Sequence, residues 1–306
     1  MMKAKVTLLL FVLIPFFGIK AQQPITLSED SLQIGKSVLP SISVTIPEAD
    51  YDKTLKAWIR ELQSGTRSKV VTENSEMSIF GAKIKSISSN PINVYSKLDR
   101  QESQLLLSAS FETKKDEYAT GSAGVPEYTK ALDFMKEFSK TQYIEFAKEQ
   151  ADAEEKKLKD LEKELSSLEN EKSRMEKSIE SGRSTIQSEN ENITLMNSEL
   201  ATVNTSLQGQ DTLLSTMEAG TARTELEKQV KELDKRKKKS LSSIESSEKK
   251  IQRANDDIDK ATKAIPENEK MQLKVREQIA AQQAVYQQFA EKLKTIRAYC
   301  NIQPGN

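Results

Sequence analysis

The chain contains no histidine, which removes the side chain that most often serves as a general base or as a zinc ligand. It also lacks a glycine-rich loop of the kind that binds phosphate groups. Carboxylates are numerous, but they are spread over charged segments typical of solvent-facing helices. The sequence therefore predicts a protein that is not an enzyme, with no catalytic residues, no cofactor and no metal.

Cysteine is nearly absent, since Cys300 stands alone and cannot form a disulfide within the chain. Two interpretations stay open: a thiol packed at the base of helices, or a bridge to a second copy in a homodimer. Aromatic residues make up only 6% of the chain and charged residues 30%, which argues against one large globular core. The 46 basic and 46 acidic residues balance, so nothing points to a nucleic-acid partner.

Long apolar runs are absent apart from one at the N-terminus. Lys3 and Lys5 precede an apolar run at residues 6–19, of about fourteen residues, which is short for a membrane span and typical of a signal peptide. We predict a signal peptide at residues 1–21 and export, to a bacterial periplasm. No cysteine lies near the cleavage site, so a lipoprotein is not expected; the alternative is an uncleaved anchor.

Residues 22–118 predict a small α+β domain, with one helix on a mostly antiparallel sheet. Apolar residues alternate at 42–46, as in a half-buried strand, and recur at helical spacing from Asp50 until Gly65, with Trp58 as a core residue. Further strands are predicted at residues 69–72, 77–87, 92–98 and 104–111. The polar residues 112–125 predict a linker, of which residues 119–125 separate the domain from the next helix.

The most informative stretch is a heptad repeat at residues 158–207, which requires a helix that packs against a partner helix. Its apolar positions are Leu158, Leu161, Leu165, Leu168, Met175, Ile179, Ile186, Ile193, Met196, Leu200, Val203 and Leu207. Three positions break the pattern, namely Lys172, Gly182 and Glu189. Pro126 suits a first helical turn, so we predict an ascending helix at residues 126–218.

The partner helix follows in the same chain. We predict a hairpin tip at residues 219–222, with Gly220 as a left-handed cap and with Thr224 and Glu227 in a capping box. A descending helix at residues 223–299 and a tail at 300–306 complete the chain, and Pro266 is expected to kink this helix without an insertion. The fold is thus an antiparallel coiled-coil hairpin attached to the α+β domain.

A chain reversal at Gly220 predicts that facing residues have numbers that add to about 440. In this register small residues face large ones: Gly182 faces Ile258, Ala254 faces Ile186 and Ala261 faces Ile179. Two pairs fit poorly, Glu189 with Ile251 and Val203 with Lys237. Aromatic residues gather where the two arms reconverge, and there we expect them to join the core of the α+β domain.

The residues that we predict to contact a partner lie towards the hairpin tip. They are the tip residues Gly220, Thr221 and Arg223 and a basic block that includes Lys235, Arg236, Lys238 and Lys239. The block would suit acidic lipid head groups or an acidic protein, or it is a solvated face neutralised by neighbouring acids. The sequence does not identify the protein partner.

Met217, Ala219, Gly220, Arg223, Thr224, Leu226, Glu227, Lys228 and Val230, in this spacing, resemble the tentacle tip of the Skp (OmpH-like) periplasmic chaperones. The resemblance covers residues 217–230, and this chain differs in its separate N-terminal domain, longer hairpin and balanced charge. It implies an exported protein and a hairpin tip at this place.

The leading hypothesis is a non-enzymatic exported coiled-coil protein that acts as a spacer, scaffold or adaptor in the cell envelope. The first alternative is an Skp-like holdase chaperone. The second is the periplasmic adaptor of an export pump, although no lipoyl-like halves flank the hairpin.

Overall fold

The computed structural model describes residues 23–73, 75–123 and 126–302. The predicted signal peptide and residues 303–306 of the predicted tail lie outside this part. The chain divides into two compact units. The first comprises Met1–Lys159 and Ala280–Asn306, and the second comprises Asp160–Ile279.

The first unit contains one seven-stranded sheet in which every pair of neighbouring strands is antiparallel. Its strands are β1 (Leu27–Ile34), β2 (Ser37–Pro47), β3 (Val71–Glu73), β4 (Glu76–Ala82), β5 (Ile92–Arg100), β6 (Gln104–Lys114) and β7 (Glu117–Tyr118). The order is β1-β2-β6-β5-β4-β3, and β7 pairs with the end of β6. Helix α1 (Tyr51–Leu62) lies between β2 and β3 in the chain. The predicted α+β class is therefore confirmed.

Helix α1 begins and ends where its sequence indicates. The Asp50 carboxylate accepts a hydrogen bond from the Lys53 N–H at 2.9 Å, which satisfies one of the free donors of the first turn. After the helix, Gly65 has a φ of 69°, a conformation that a side chain disfavours. The apolar stripe of α1 buries Trp58 and Leu62 completely, so the prediction that Trp58 belongs to the core is confirmed.

The base of the two long helices completes this core. Met135, Phe138 and Tyr143 from one helix, with Ile296 and Cys300 from the other, belong to the same buried cluster as the sheet residues. Polar contacts reinforce the packing, as the Ser139 hydroxyl donates to the Thr45 carbonyl at 2.7 Å. The expected junction of the helix base with the α+β domain is thus present within the first unit.

Several strand predictions need correction. The strand predicted at residues 77–87 ends at Ala82, because a bulge lies between Ile79 and Ala82 and Gly81 has a φ of 76°. The strand predicted at residues 69–72 is shifted to Val71–Glu73. Strands β1 and β7 were not predicted, and residues 112–118, expected in the linker, instead form the end of β6 and all of β7.

The buried carboxylate of Glu112 holds the end of β6 in place. It accepts hydrogen bonds from the Asn93 side-chain amide at 2.8 Å, the Asp116 N–H at 3.0 Å and the Tyr95 hydroxyl at 3.3 Å. These donors, the Asn93 amide above all, hold the pKa of Glu112 below its ordinary value of 4.5 despite burial. Ionised Glu112 is therefore a stabilising group of the fold.

The pKa of Glu112 predicts a pH dependence of stability. Because this pKa is lower in the folded than in the unfolded chain, the stabilisation is present above the unfolded value and is lost as pH falls through the folded pKa. We expect Glu112→Gln to be less stable than the wild type at pH 7 and the difference to narrow at about pH 3. Urea denaturation at both pH values measures this, with exposed Glu102→Gln as the control that shows no such difference.

Cys300 is a free thiol buried in the core of the first unit. Burial raises its pKa, so the thiol is protonated at neutral pH. We expect it to react with a thiol reagent such as DTNB at least about 100-fold more slowly in the native protein than in denaturant. Equal rates in the two states would show that the thiol is accessible in the folded chain.

The two long helices are α2 (Pro126–Thr216) and α3 (Thr221–Ile302), and they pack against each other as a helical hairpin. Helix α2 begins at the predicted residue and ends two residues earlier than predicted, and α3 extends into the predicted tail. Helix α3 passes through Pro266 without interruption, and positions spaced three and four residues apart remain shielded on both sides of it. The helix is therefore continuous at Pro266, and the expected kink stays a prediction.

The predicted seam is observed. All twelve apolar heptad positions are buried or half-buried, and the three exceptions Lys172, Gly182 and Glu189 are also shielded. In the second unit, contacts between the helices follow the predicted register. Lys172 pairs with Glu269 at 2.6 Å and Gln210 with Gln229 at 3.4 Å, and their residue numbers add to 441 and 439.

Gly182 shows the complementarity of the seam most clearly. A Cβ atom at this position would lie 2.8 Å from Cγ1 of Ile258 and 3.4 Å from the Ala254 carbonyl oxygen. The glycine is thus the small partner that the predicted register placed opposite Ile258. None of the helices in the described part of the chain is long and apolar enough to cross a membrane.

Candidate functional site

The hairpin reverses at residues 217–220, two residues earlier than the predicted 219–222. Gly220 does not adopt the expected left-handed conformation, so that prediction is wrong. Its carbonyl instead accepts the Thr224 N–H at 3.2 Å, the first hydrogen bond of α3. Gly220 therefore precedes the N-terminus of α3 rather than capping the C-terminus of α2.

The predicted capping box is also absent. Thr224 lies inside α3 and its hydroxyl donates to the Gly220 carbonyl at 3.3 Å, while Glu227 accepts from the Arg223 Nε at 3.2 Å. The reason is that α3 begins at Thr221, which places Thr224 one turn too far into the helix to cap it.

Arg223 joins the two helices at the tip. Its guanidinium donates to the Met217 carbonyl at 2.7 Å and to the Leu214 carbonyl at 3.3 Å. Leu214 lies in the last turn of α2 and Met217 directly follows the helix, at the end where the helix dipole favours a positive charge. The sequence placed Arg223 among the contact residues, and the structure gives it a role in closing the turn. Thr221, next to it, is exposed.

The basic block lies further along α3 and is not part of the tip. Lys235 follows Thr221 by 14 residues, or roughly 20 Å along the helix axis. Lys235 pairs with Glu232 at 2.5 Å, and Arg236 reaches across to Glu199 on α2 at 3.0 Å. Among the described residues, Lys238 and Lys239 form no ion pair. The predicted site residues thus separate into a tip group and a partly neutralised basic face.

Sequence reasoning missed a polar layer in the seam of the second unit. Glu189, matched to Ile251 from the sequence, accepts hydrogen bonds from Lys250 at 2.7 Å and Ser247 at 2.6 Å. The Lys250 contact, followed by that of Ser247, lowers the pKa of Glu189. Asn192 also donates to Ser247, at 2.9 Å. A search for opposite charges one position away from the seam would have found the pair with Lys250.

Large apolar side chains are exposed outside the seam of the second unit. Three of them are leucines in its distal half: Leu195 is 63% exposed, Leu213 50% and Leu241 49%. Leu213 lies three residues before the end of α2, and Leu241 lies two residues beyond the basic block. The two helices already fill the seam, and these leucines lie outside it on the exposed surface of the hairpin.

The described residues contain no group of three or more side chains able to hold a metal ion. A scan against protein-family models and a search of curated proteins found no match to this chain.

Proposed function

We propose that this protein is a non-enzymatic, exported scaffold or adaptor whose helical hairpin binds a protein partner in the cell envelope. The observation that carries the proposal is the filled seam of the hairpin. Each helix satisfies the apolar stripe of the other, so the pair does not need a third helix for its stability. The outer surface and the tip then serve for contact with other molecules.

Contact chemistry supports a protein as the partner. The distal half of the hairpin presents isolated exposed leucines, unpaired lysines and an exposed tip. An exposed leucine gains free energy when another protein covers it, and the lysines attract an acidic surface. Export rests on the apolar segment that follows Lys3 and Lys5 in the sequence.

Site-specific photo-crosslinking in intact cells tests this proposal. A photoreactive residue at Thr221 samples the tip, and a second at exposed Arg297 samples the base of α3. Exposed Lys260, in the middle of α3, provides a control position. We expect one defined envelope protein to be captured from Thr221, and no capture from any position would contradict the proposal.

A holdase chaperone is the second candidate, favoured because the chain reversal at residues 217–220 lies within the segment that resembles the Skp tip. In the same experiment a holdase would give a ladder of many unfolded clients from Thr221. Suppression of the aggregation of an unfolded outer-membrane protein tests this activity directly. Failure to suppress aggregation at a several-fold molar excess removes this candidate.

A further inference from the structure

Strand β3 forms one edge of the sheet in the first unit, and no described strand covers its outer side. All three of its residues are exposed, and Val71 is 58% exposed. An open strand edge carries unpaired backbone donors and acceptors that readily accept another strand.

The sequence around β3 is complementary to itself when two copies run antiparallel. Residues 69–73 read Lys-Val-Val-Thr-Glu. With Val71 on a two-fold axis, Lys69 of each copy meets Glu73 of the other, and Val70 meets Thr72. Lys69 and Glu73 are both exposed, and neither forms an ion pair within the described chain. We propose that β3 is the dimerisation edge of the protein and that its partner is a second copy of this chain.

The backbone register of β3 suits this pairing. Glu73 of β3 pairs with Glu76 of β4 where the two strands meet their connection, and Val71 pairs with Ser78 two residues further along. In such a hairpin these alternate residues exchange hydrogen bonds with β4. The N–H and C=O groups of Thr72 then point to the outer edge, and the proposed pairing extends by one residue to Val70, which directly precedes the strand. Val71 of one copy and Val71 of the other then form a closely spaced pair on the two-fold axis.

The side chains on one face of β3 give the pairing its selectivity. Val71 and Glu73 share a face of β3, since successive side chains of a strand alternate, and the proposed pairing continues this face to Lys69, two residues before the strand. Lysine at a strand edge usually blocks pairing, but here each lysine meets a carboxylate of the other copy. Because the edge is only a few residues long, we expect a weak dimer that forms reversibly with concentration.

Charge reversal tests the proposed edge in solution. Sedimentation equilibrium of the purified chain should show a monomer–dimer equilibrium. Lys69→Glu and Glu73→Lys should each weaken the dimer roughly 10-fold or more, because like charges then meet at both symmetric positions. The double variant Lys69→Glu/Glu73→Lys should restore the wild-type affinity to within about 3-fold. A merely misfolded variant would not be rescued in this way.

Cysteine trapping supplies an independent readout. In a Cys300→Ala background, Val71→Cys should form a disulfide-linked dimer on mild oxidation, because Val71 faces itself across the axis. Thr72→Cys is the matched control, exposed and adjacent, but it faces Val70 of the other copy. A monomer at all concentrations, equal trapping of both variants, or a double reversal that fails to restore the dimer overturns the proposal. The proposal is also overturned if the chain is monomeric and its β3 edge binds an extended segment of another protein.

Discussion

Replacement of Trp58 by alanine should destabilise the first unit by about 3–5 kcal/mol, the range for removal of a buried aromatic side chain. Trp58 is fully buried, and its ring lies 4.9 Å from that of Phe138 and 5.8 Å from that of Phe134. The variant removes contacts that join α1 to the base of α2. The loss therefore affects both the sheet and the helix base that it packs against.

Hydrogen exchange of peptides from β5 and β6 in increasing urea measures this effect. Tryptophan fluorescence is lost in the variant, and far-UV circular dichroism reports mostly on α2 and α3. Trp58→Phe is the matched control: it retains an aromatic ring but loses the 2.9 Å hydrogen bond from Nε1 to the Ser96 hydroxyl, so we expect a smaller loss of about 1–2 kcal/mol. A loss below about 1 kcal/mol for Trp58→Ala would contradict the assignment of Trp58 to the core.

Replacement of Gly182 by leucine should destabilise the second unit by about 1–3 kcal/mol, the usual cost of forcing extra atoms into a packed core. Even a Cβ atom would come within 2.8 Å of Ile258 Cγ1, so the facing helix has to move or Ile258 has to change its rotamer. Gly209 provides the matched control on the same helix, because nothing lies within 4 Å of a Cβ atom there. Gly209→Ala should stabilise the helix by up to about 1 kcal/mol.

A double-mutant cycle separates packing from helix propensity. Ile258→Ala removes the side chain that Gly182→Leu would strike, so the double variant should recover much of the lost stability. The coupling is measured from urea denaturation followed by circular dichroism. If Gly182→Leu stabilises the helix as Gly209→Ala does, Gly182 does not face Ile258 and the register is wrong.

The hairpin could be predicted from sequence because heptad spacing is a strong and repetitive signal. Twelve apolar positions define the seam of α2, and the small residues Gly182, Ala254 and Ala261 fix the alignment with α3. Each additional pair that fits reduces the number of alternative registers. From the sequence, Glu189 was matched to Ile251, one position away from its observed partner Lys250. Matching by apolar character takes no account of how far a lysine side chain reaches.

The strands that were missed carry weak signals. Strand β1 has only three apolar residues in Leu27–Ile34, and the other five are polar or charged. Its polar composition therefore resembles a loop. Strand β4 ends early because Gly81 forms a bulge, and a single glycine within an apolar run does not show on which side the strand stops.

The candidate site was predicted in part. The tip was located to within two residues, since the break in the heptad frame marks it, but its capping was wrong. A glycine in the left-handed conformation and a glycine whose carbonyl accepts the first hydrogen bond of a helix look the same in the sequence. Only the backbone geometry distinguishes these two roles at Gly220. The carbonyl contacts of Arg223 depend on the same geometry. The exposed edge of β3 could not be recognised before the strand order was known.

The register of α2 against α3 is the central claim, and cross-linking of paired cysteines tests it most directly. In a Cys300→Ala background, Gln210→Cys/Gln229→Cys and Lys172→Cys/Glu269→Cys place thiols at two observed contacts in the second unit. A short bismaleimide should link both pairs within one chain, as shown by mass spectrometry of the joined peptides. Gln210→Cys/Arg236→Cys, displaced by one heptad, should remain unlinked. Preferential linking of this displaced pair would contradict the register and the hairpin described above.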